Sequence, residues 1–341
     1  MEISIEEFLG KRRTYPVIDV RSPGEFMQGH IPGAYNIPLF TDAERSEVGT
    51  LYVQEGHTPA VEHGLQIVGP KMVQLAREAQ AQGGELCLYC WRGGMRSGSM
   101  EWLFNTVGIK TWRLQGGYKA YRAHFDHILN NNKYTLRILG GPTGSGKTLI
   151  LHQLCNKGEQ VVDLEGLANH KGSIFGGLGQ APQPTTEQYI NLLHDAFIDM
   201  DPHKPIWLEN ESKLVGHVFI PDMLWTLMRS SRPIIIDIPV EPRAQHIFRE
   251  YGSIDPLLLI EALGKIEKRM GNLLCTQAIE HVKSGDILSA IRDTLVYYDK
   301  AYQRSFDKQG LPPLLTIKGE KDDPESLANE LIRLTQDLVD R

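Results

Sequence analysis

Cysteine is scarce in this chain, with four in 341 residues, at positions 87, 90, 155 and 275. Four scattered cysteines make no disulfide framework, so a reducing compartment is expected. No run of about 18 apolar residues occurs, which excludes a helical membrane span. The opening residues, Met1-Glu2-Ile3-Ser4, lack a signal-peptide pattern, and the expected location is the cytoplasm. Positive charge is not in excess either: 36 Lys and Arg stand against 42 Asp and Glu, a net charge of −6. A uniformly basic nucleic-acid binder is excluded; a local basic face on an acidic body is not. No repeat or low-complexity tract interrupts the chain, which excludes a solenoid. Zinc is not expected, because Cys87-Leu88-Tyr89-Cys90 has no second cysteine pair or histidine cluster to complete a site. On one strand those two cysteines would also face opposite ways. Cys87 reads as a core residue, with a resolving thiol as the alternative.

What is present suits an ordinary globular protein: 41% hydrophobic and 23% charged residues, and a length that predicts two domains. Residues 1–130 alternate short strand and helix patterns. Pro16 to Val20 reads as a buried strand, Ser22-Pro23 as the start of a short helix, and 70–82 as an amphipathic helix ending at Gly83-Gly84. The polar stretch Asn130 to Lys133 marks a boundary, and a second domain is expected over 134–341. It opens with a strand, a glycine-rich loop and a helix. Strand candidates follow at Gln160–Asp163, Pro205–Leu208 and Pro233–Ile238, and the pattern is mostly helical after about residue 241. Strands alternating with helices predict parallel sheets in both domains, an α/β fold with a helical C-terminal extension.

Two loops carry chemistry. The first is Cys90-Trp91-Arg92-Gly93-Gly94-Met95-Arg96, between an apolar strand and a helix predicted over 97–107. A cysteine at a strand end, facing loop N–H groups and a helix N-terminus, sits in an anion-binding cup. Arg92 and Arg96 add positive charge, surroundings that lower a thiol pKa from ~8.5 toward ~3.5–7.5. The second loop, Gly141-Pro142-Thr143-Gly144-Ser145-Gly146-Lys147-Thr148, fits G-x-x-x-x-G-K-T. Its glycines let N–H groups wrap a phosphate chain, Lys147 meets outer oxygens, and Thr148 can hold Mg²⁺. An assisting carboxylate is expected from a neighbouring strand end. Asp163, Glu209 and, more weakly, Asp237 all qualify, and each is equally readable as a helix cap. Glycine density across Glu165 to Gly177 predicts a mobile lid; His170 and Lys171 read equally as contacts for an anionic substrate or as part of a solvated loop.

Residues 17–38, from Val17-Ile18-Asp19-Val20-Arg21 to Ile37-Pro38, resemble the signature of rhodanese-like domains. The resemblance implies that Asp19 and Arg21 arrange the active side of the sheet. It makes Cys90 the catalytic cysteine and Leu114-Gln115-Gly116-Gly117 the late strand and turn. Many sulfurtransferases place four residues between the cysteine and the closing arginine; here five separate Cys90 from Arg96. That spacing resembles rhodanese-fold phosphatases and favours a tetrahedral, phosphate-shaped ligand.

The pairing of such a domain with a P-loop resembles the tRNA 2-selenouridine synthase family. It extends to Asp163–Ser173, Trp207–Ser212 and Tyr297–Tyr302. That resemblance implies a transferase acting on the wobble 2-thiouridine of tRNA. Geranyl diphosphate would alkylate the sulfur, and selenium from selenophosphate would then replace the S-geranyl group, with Cys90 carrying selenium. Selenophosphate would suit the Cys90 cup, and geranyl diphosphate the 141–148 loop. Ile174-Phe175, Phe219 and Trp225 are candidates for the geranyl groove, with a core position the favoured reading for each. Lys265, Lys268, Arg269, Lys283, Tyr297, Tyr298, Tyr302 and Arg304 are candidates for tRNA contact, each also readable as a solvated face or core. A monomer is the simplest expectation. The alternatives are a cysteine phosphatase or sulfurtransferase joined to an ATP-binding P-loop domain.

Overall fold

The computed structural model describes residues 1–320 and 323–336; the end of the expected second domain, 337–341, lies outside the described residues. The chain divides into two compact units, Met1–Asn131 and a second beginning at Asn132.

In the first unit a five-stranded sheet is ordered β1-β5-β4-β2-β3. The strands are β1 (Glu2–Ile3), β2 (Val17–Asp19), β3 (Tyr35–Asn36), β4 (Glu85–Tyr89) and β5 (Lys110–Leu114). All neighbouring strands are parallel. Helices α1 (Ile5–Lys11), α2 (Pro23–Gln28), α3 (Asp42–Gln54), α4 (His57–Val68), α5 (Met72–Gln82), α6 (Met95–Thr106) and α7 (Gly117–Asn131) connect and cover them. β4 is buried from Leu86 to Tyr89, as the central strand of a doubly covered parallel sheet must be. Ile18, Leu86, Leu88, Met100 and Phe104 form the core on one side of it. Ser22 caps α2 with Glu25 at its third position, and Pro23 enters the first turn.

The second unit holds a parallel sheet ordered β12-β11-β6-β8-β7. It is built from β6 (Leu136–Gly140), β7 (Gln160–Val161), β8 (Ile206–Glu209), β11 (Ile234–Asp237) and β12 (Leu315–Lys318), with a separate antiparallel hairpin of β9 (Leu214–Val215) and β10 (Val218–Phe219). The chain leaves β6 on one side for β7 and β8, then returns on the other for β11. β6 is therefore the switch point, where open α/β sheets form their ligand crevice. Around the sheet lie α8 (Lys147–Asn156), α9 (Leu164–Leu167), α10 (Thr186–Ile198), α11 (Asp222–Ser230) and α16 (Pro324–Thr335). The helices α12 (Val240–Tyr251), α13 (Pro256–Met270), α14 (Asn272–Lys283) and α15 (Ile287–Gln309) share a core of their own, including Leu259, Leu263, Ile266, Ile291 and Leu295. α15 runs well beyond the 286–298 periodicity seen in the sequence. No helix among the described residues is long and apolar enough to cross a membrane.

Candidate active sites

Cys90 follows the last residue of β4, and α6 begins at Met95, so the cup is the four-residue turn between them. Its floor is the β5–α7 turn. The N–H groups of Tyr118 and Lys119 donate to the carbonyls of Cys90 (2.8 Å) and Trp91 (3.0 Å). Gly117 has φ +60°, and a Cβ there would collide with the Cys90 carbonyl. Gly93 has φ +68°, and its Cβ would meet the Leu114 carbonyl and the Gly116 N–H. Both glycines are required by this close backbone approach. Arg113 donates to the Gly93 carbonyl, fixing the turn further.

The Cys90 side chain is nearly enclosed, 3% exposed, and its Sγ lies 3.2 Å from the Ser97 hydroxyl. Ser97, in the first turn of α6, also donates to the Gly94 carbonyl at 3.1 Å. Its hydroxyl can turn from that carbonyl to a sulfur anion. The sequence offered Ser97 only as a helix residue; its place in the first turn of α6, directly after Arg96, was the available signal.

The two arginines part company. Arg92 is exposed with no bonded partner among the described residues. Arg96 instead donates to Glu25 at 2.6 Å, and this pairing holds the Glu25 carboxyl below its ordinary range against the opposing effect of burial. Asp19 and Arg21 form a fully buried bidentate pair, with bonds of 2.6 and 3.0 Å. The guanidinium lies 3.9 Å from the Tyr118 ring centre and also bonds the Gly29 carbonyl. Both residues are thus beside the elements that carry the cup. Cys87 points into the interior, where burial pushes its thiol up to about 12, against a role as resolving thiol.

In the second unit the 141–148 loop joins β6 to α8 as the sequence pattern predicts. Gly144 and Gly146 adopt φ +81° and +70°. A Cβ at Gly144 would strike Ile247 of α12, and one at Gly140 would strike Ile235 and the Tyr302 hydroxyl. Ser145 folds its hydroxyl back onto the Pro142 carbonyl, and Lys147 Nζ lies 3.2 Å from the Gly141 carbonyl. Arg243, 3% exposed, ties the loop to two helices. It donates to the Thr143 carbonyl at 2.9 Å and pairs with Asp299 of α15 at 2.8 Å. Nothing local to Arg243 in the sequence signals that role.

The carboxylates are distributed differently from the expectation. Asp163 accepts from the Gly166 N–H (2.6 Å) and pairs with His152 (3.0 Å), so it is the cap of α9. Glu209 is fully buried and accepts from the Leu164 N–H at 3.0 Å. Asp237 is exposed at the end of β11. The acid that meets Thr148 is Glu165, which takes its hydroxyl at 3.0 Å. Burial, with Glu211 beside it, pushes the Glu165 carboxyl up to about 8 despite nearby Lys147. No group of three acidic, histidine or cysteine side chains among the described residues can hold a metal. The residues therefore do not by themselves make a magnesium site. Thr148 would need phosphate oxygens and water to complete one.

A cavity of about 550 Å³ starts at this loop. One end is polar, with Lys147, Thr148, Glu165 and Glu211. The other is an apolar wall of Phe175, Ile247, Tyr251, Ile291, Leu295 and Tyr298. Tyr298 and Tyr302 thus belong to the cavity and not to an external face; Tyr298 accepts from the Ile174 N–H at 2.8 Å. Of the groove candidates, Phe175 lines the cavity, and Ile174 packs against the helical core below it. Phe219 is exposed on the β9–β10 hairpin, and Trp225 lies on α11 under Arg229. Lys265 and Lys283 are each paired within their own helix, to Glu261 and Glu280 at 2.9 Å. The 165–177 segment is tied down at several points. His170 N–H meets the Glu165 carbonyl, Lys171 N–H the Gly176 carbonyl, and Lys171 Nζ pairs with Glu250 at 3.2 Å. Its glycines serve tight turns: a Cβ at Gly176 would hit the Lys171 backbone.

Residues 4–124 match the family model of the rhodanese-like domain, and residues 134–258 match that of the tRNA 2-selenouridine synthase AAA domain. A tRNA 2-selenouridine synthase from Hydrogenovibrio crunogenus is 38% identical over 76% of this chain and 77% of its own length. One from Nitrosomonas europaea is 37% identical over 71% and 65%. One from Psychromonas ingrahamii is 32% identical over 86% and 88%. The chain belongs to the tRNA 2-selenouridine synthase family. The Cys90 turn falls inside the first matched region and the 141–148 loop inside the second, while the α15 wall of the cavity lies beyond residue 258.

Proposed function

We propose that this chain converts wobble 2-thiouridine of tRNA to 2-selenouridine in two steps, one prepared in each unit. In the first, the thiouridine sulfur attacks geranyl diphosphate and diphosphate leaves. In the second, selenophosphate held at the Cys90 cup delivers selenide-level selenium to C2: the C2–Se bond forms, the C2–S bond breaks with geranylthiol leaving, and water takes the phosphoryl group as phosphate. Alkylation converts a poor leaving sulfur into a good one, which gives the order of the steps a chemical reason. A tRNA substrate makes the cytoplasm the proposed location.

The observation that carries the reading is the two-ended cavity of the second unit. A phosphate-binding loop opens directly onto Phe175, Ile247, Ile291 and Leu295. A molecule with a diphosphate head and a hydrocarbon tail matches both ends, whereas a nucleotide would set a ribose and base against that wall. Loop N–H groups and Lys147 would take the negative charge growing on the leaving diphosphate. In the first unit, the enclosed Sγ, the Ser97 hydroxyl and exposed Arg92 suit a small tetrahedral anion.

Mass spectrometry of wobble nucleosides, from cells with and without the protein grown on selenite, tests the overall activity. Competition between labelled ATP and geranyl diphosphate tests the second site. Micromolar ATP binding that geranyl diphosphate does not displace would refute the assignment.

A further inference from the structure

Sulfur alkylation leaves a proton to dispose of. The geranyl C1–O bond breaks with its electron pair on diphosphate, and a C1–S bond forms. The ring is left neutral only when N3 releases its proton and the C2–N3 bond becomes double. The groups bonded at the phosphate loop are poorly placed to take it. Lys147 donates to the Gly141 carbonyl, and burial, with Glu211 beside it, pushes the Glu165 carboxyl up to about 8.

We infer that His170 is the base that takes the N3 proton, an inference that rests on reading the cavity as the geranylation site. His170 lines the same cavity as Lys147 and Thr148. Its Nδ1 is buried and has no hydrogen-bond partner among the described residues. A doubly protonated ring would leave a charged N–H unpaired there, which is costly. Burial first, and His217 second, accordingly hold its pKa below the ordinary value. The shift favours the uncharged ring, the form that can accept a proton, and Nε2 is the accepting atom when Nδ1 carries the ring's own proton. Lys147, Glu165, Lys171, Glu211, His246 and Glu250 line the cavity with it, and their charges bear on its titration.

The backbone holds the ring in place. Asn169 is the one non-glycine residue among the described ones in the left-handed region, at φ +50°. Its side-chain amide donates to the Pro182 carbonyl at 3.0 Å, and the His170 N–H donates to the Glu165 carbonyl at 3.0 Å. Asparagine adopts that region more readily than other side chains, and here it turns the chain out of α9 into His170.

The test is single-turnover geranylation of a 2-thiouridine anticodon stem-loop by the full chain carrying His170→Gln or His170→Asn. The expected result is a rate lower by roughly 100-fold, the low end for loss of a general base. Geranyl diphosphate Kd should stay within about twofold, the ascending limb of the pH–rate profile should vanish, and added imidazole should restore part of the rate. Wild-type rate and pH profile in both variants would overturn the inference. So would loss of geranyl diphosphate binding in both, which would make His170 structural. If Lys147→Ala leaves binding and geranylation intact, the site reading fails and the inference with it. If Lys147→Ala abolishes them while both His170 variants turn over normally, the inference fails alone.

Discussion

The two units place the same kind of turn, glycine-rich and leading into a helix, at the end of a parallel strand, with opposite economies of sequence. In the first, reactive sulfur, turn and helix start all lie between Tyr89 and Ser97. In the second, the phosphate loop is contiguous, but its surroundings come from α9, the 170–175 segment, α12 and α15, up to about 160 residues downstream. A compact site depends on few distant contacts. A dispersed site depends on the whole domain being folded, and substitutions far from the loop should reach it.

The largest effect tests the separation itself. Cys90→Ser should abolish 2-selenouridine in tRNA while geranylated 2-thiouridine accumulates, read by nucleoside mass spectrometry. Continued selenium incorporation would break the division of labour. Lys147→Ala should act in the other unit, raising the Kd for geranyl diphosphate about 10- to 100-fold, as expected for loss of a charge-assisted contact of ~1.5–3 kcal/mol. Isothermal titration with the Cys90→Ser protein as control keeps the two effects apart.

Asp299→Ala tests the dispersal. Arg243 would keep its bonds to the Ile238 and Thr143 carbonyls but lose its counter-charge while remaining buried. Breaking such a pair costs ~3–5 kcal/mol, and the retained carbonyl bonds argue for about 3. Chemical denaturation should show that loss in the second unit and none in the first. Arg243→Met should cost less, because Asp299 is 36% exposed and can be solvated when left alone.

That contrast also explains what could be read from the sequence. The parallel α/β architecture, the Cys90 turn and the 141–148 loop are local patterns, and each appears in the structure where the pattern lies. The partner of Arg96 was not legible, since Glu25 stands 71 residues earlier and becomes its neighbour only when α2 folds beside the cup. The acid at Thr148 was missed for a related reason. Asp163 and Glu165 are two residues apart, and only the start of α9 decides that the first caps the helix while the second turns to the hydroxyl. The α15 stripe of Ile291, Leu295, Tyr298 and Tyr302 has helical spacing that core, RNA-stacking and cavity-lining roles share. Packing against the phosphate loop distinguishes them, and no local pattern encodes that.

Ser97→Ala sharpens the compact site. With the hydroxyl gone, a sulfur or selenium anion at Cys90 loses the Ser97 donor. A bond of ~1.4 kcal/mol corresponds to about tenfold, so selenation should slow by about that factor and geranylation should not change. Equal slowing of both steps would mean that Ser97 supports the fold and not the sulfur.

The smallest effect has an unusual sign. Glu209 is fully buried, and burial first, then Asp163 and Glu165, push its carboxyl well above the ordinary carboxylate range. The folded protein therefore holds a proton that the unfolded chain releases at lower pH. Wherever the native state binds more protons, stability falls as pH rises, here from the ordinary carboxylate range up through the raised folded value. Glu209→Gln removes that dependence while its amide oxygen can still accept from the Leu164 N–H. One side-chain position, that of Oε1, has no partner among the described residues, so a protonated carboxyl and an amide face a similar penalty there. The variant should melt at or slightly below the wild-type midpoint near pH 5 and above it at pH 8. Each kcal/mol recovered is worth about 2–4 °C in a domain of this size. Scanning calorimetry at the two pH values decides it: parallel curves for the two proteins would place the pH dependence elsewhere in the second unit.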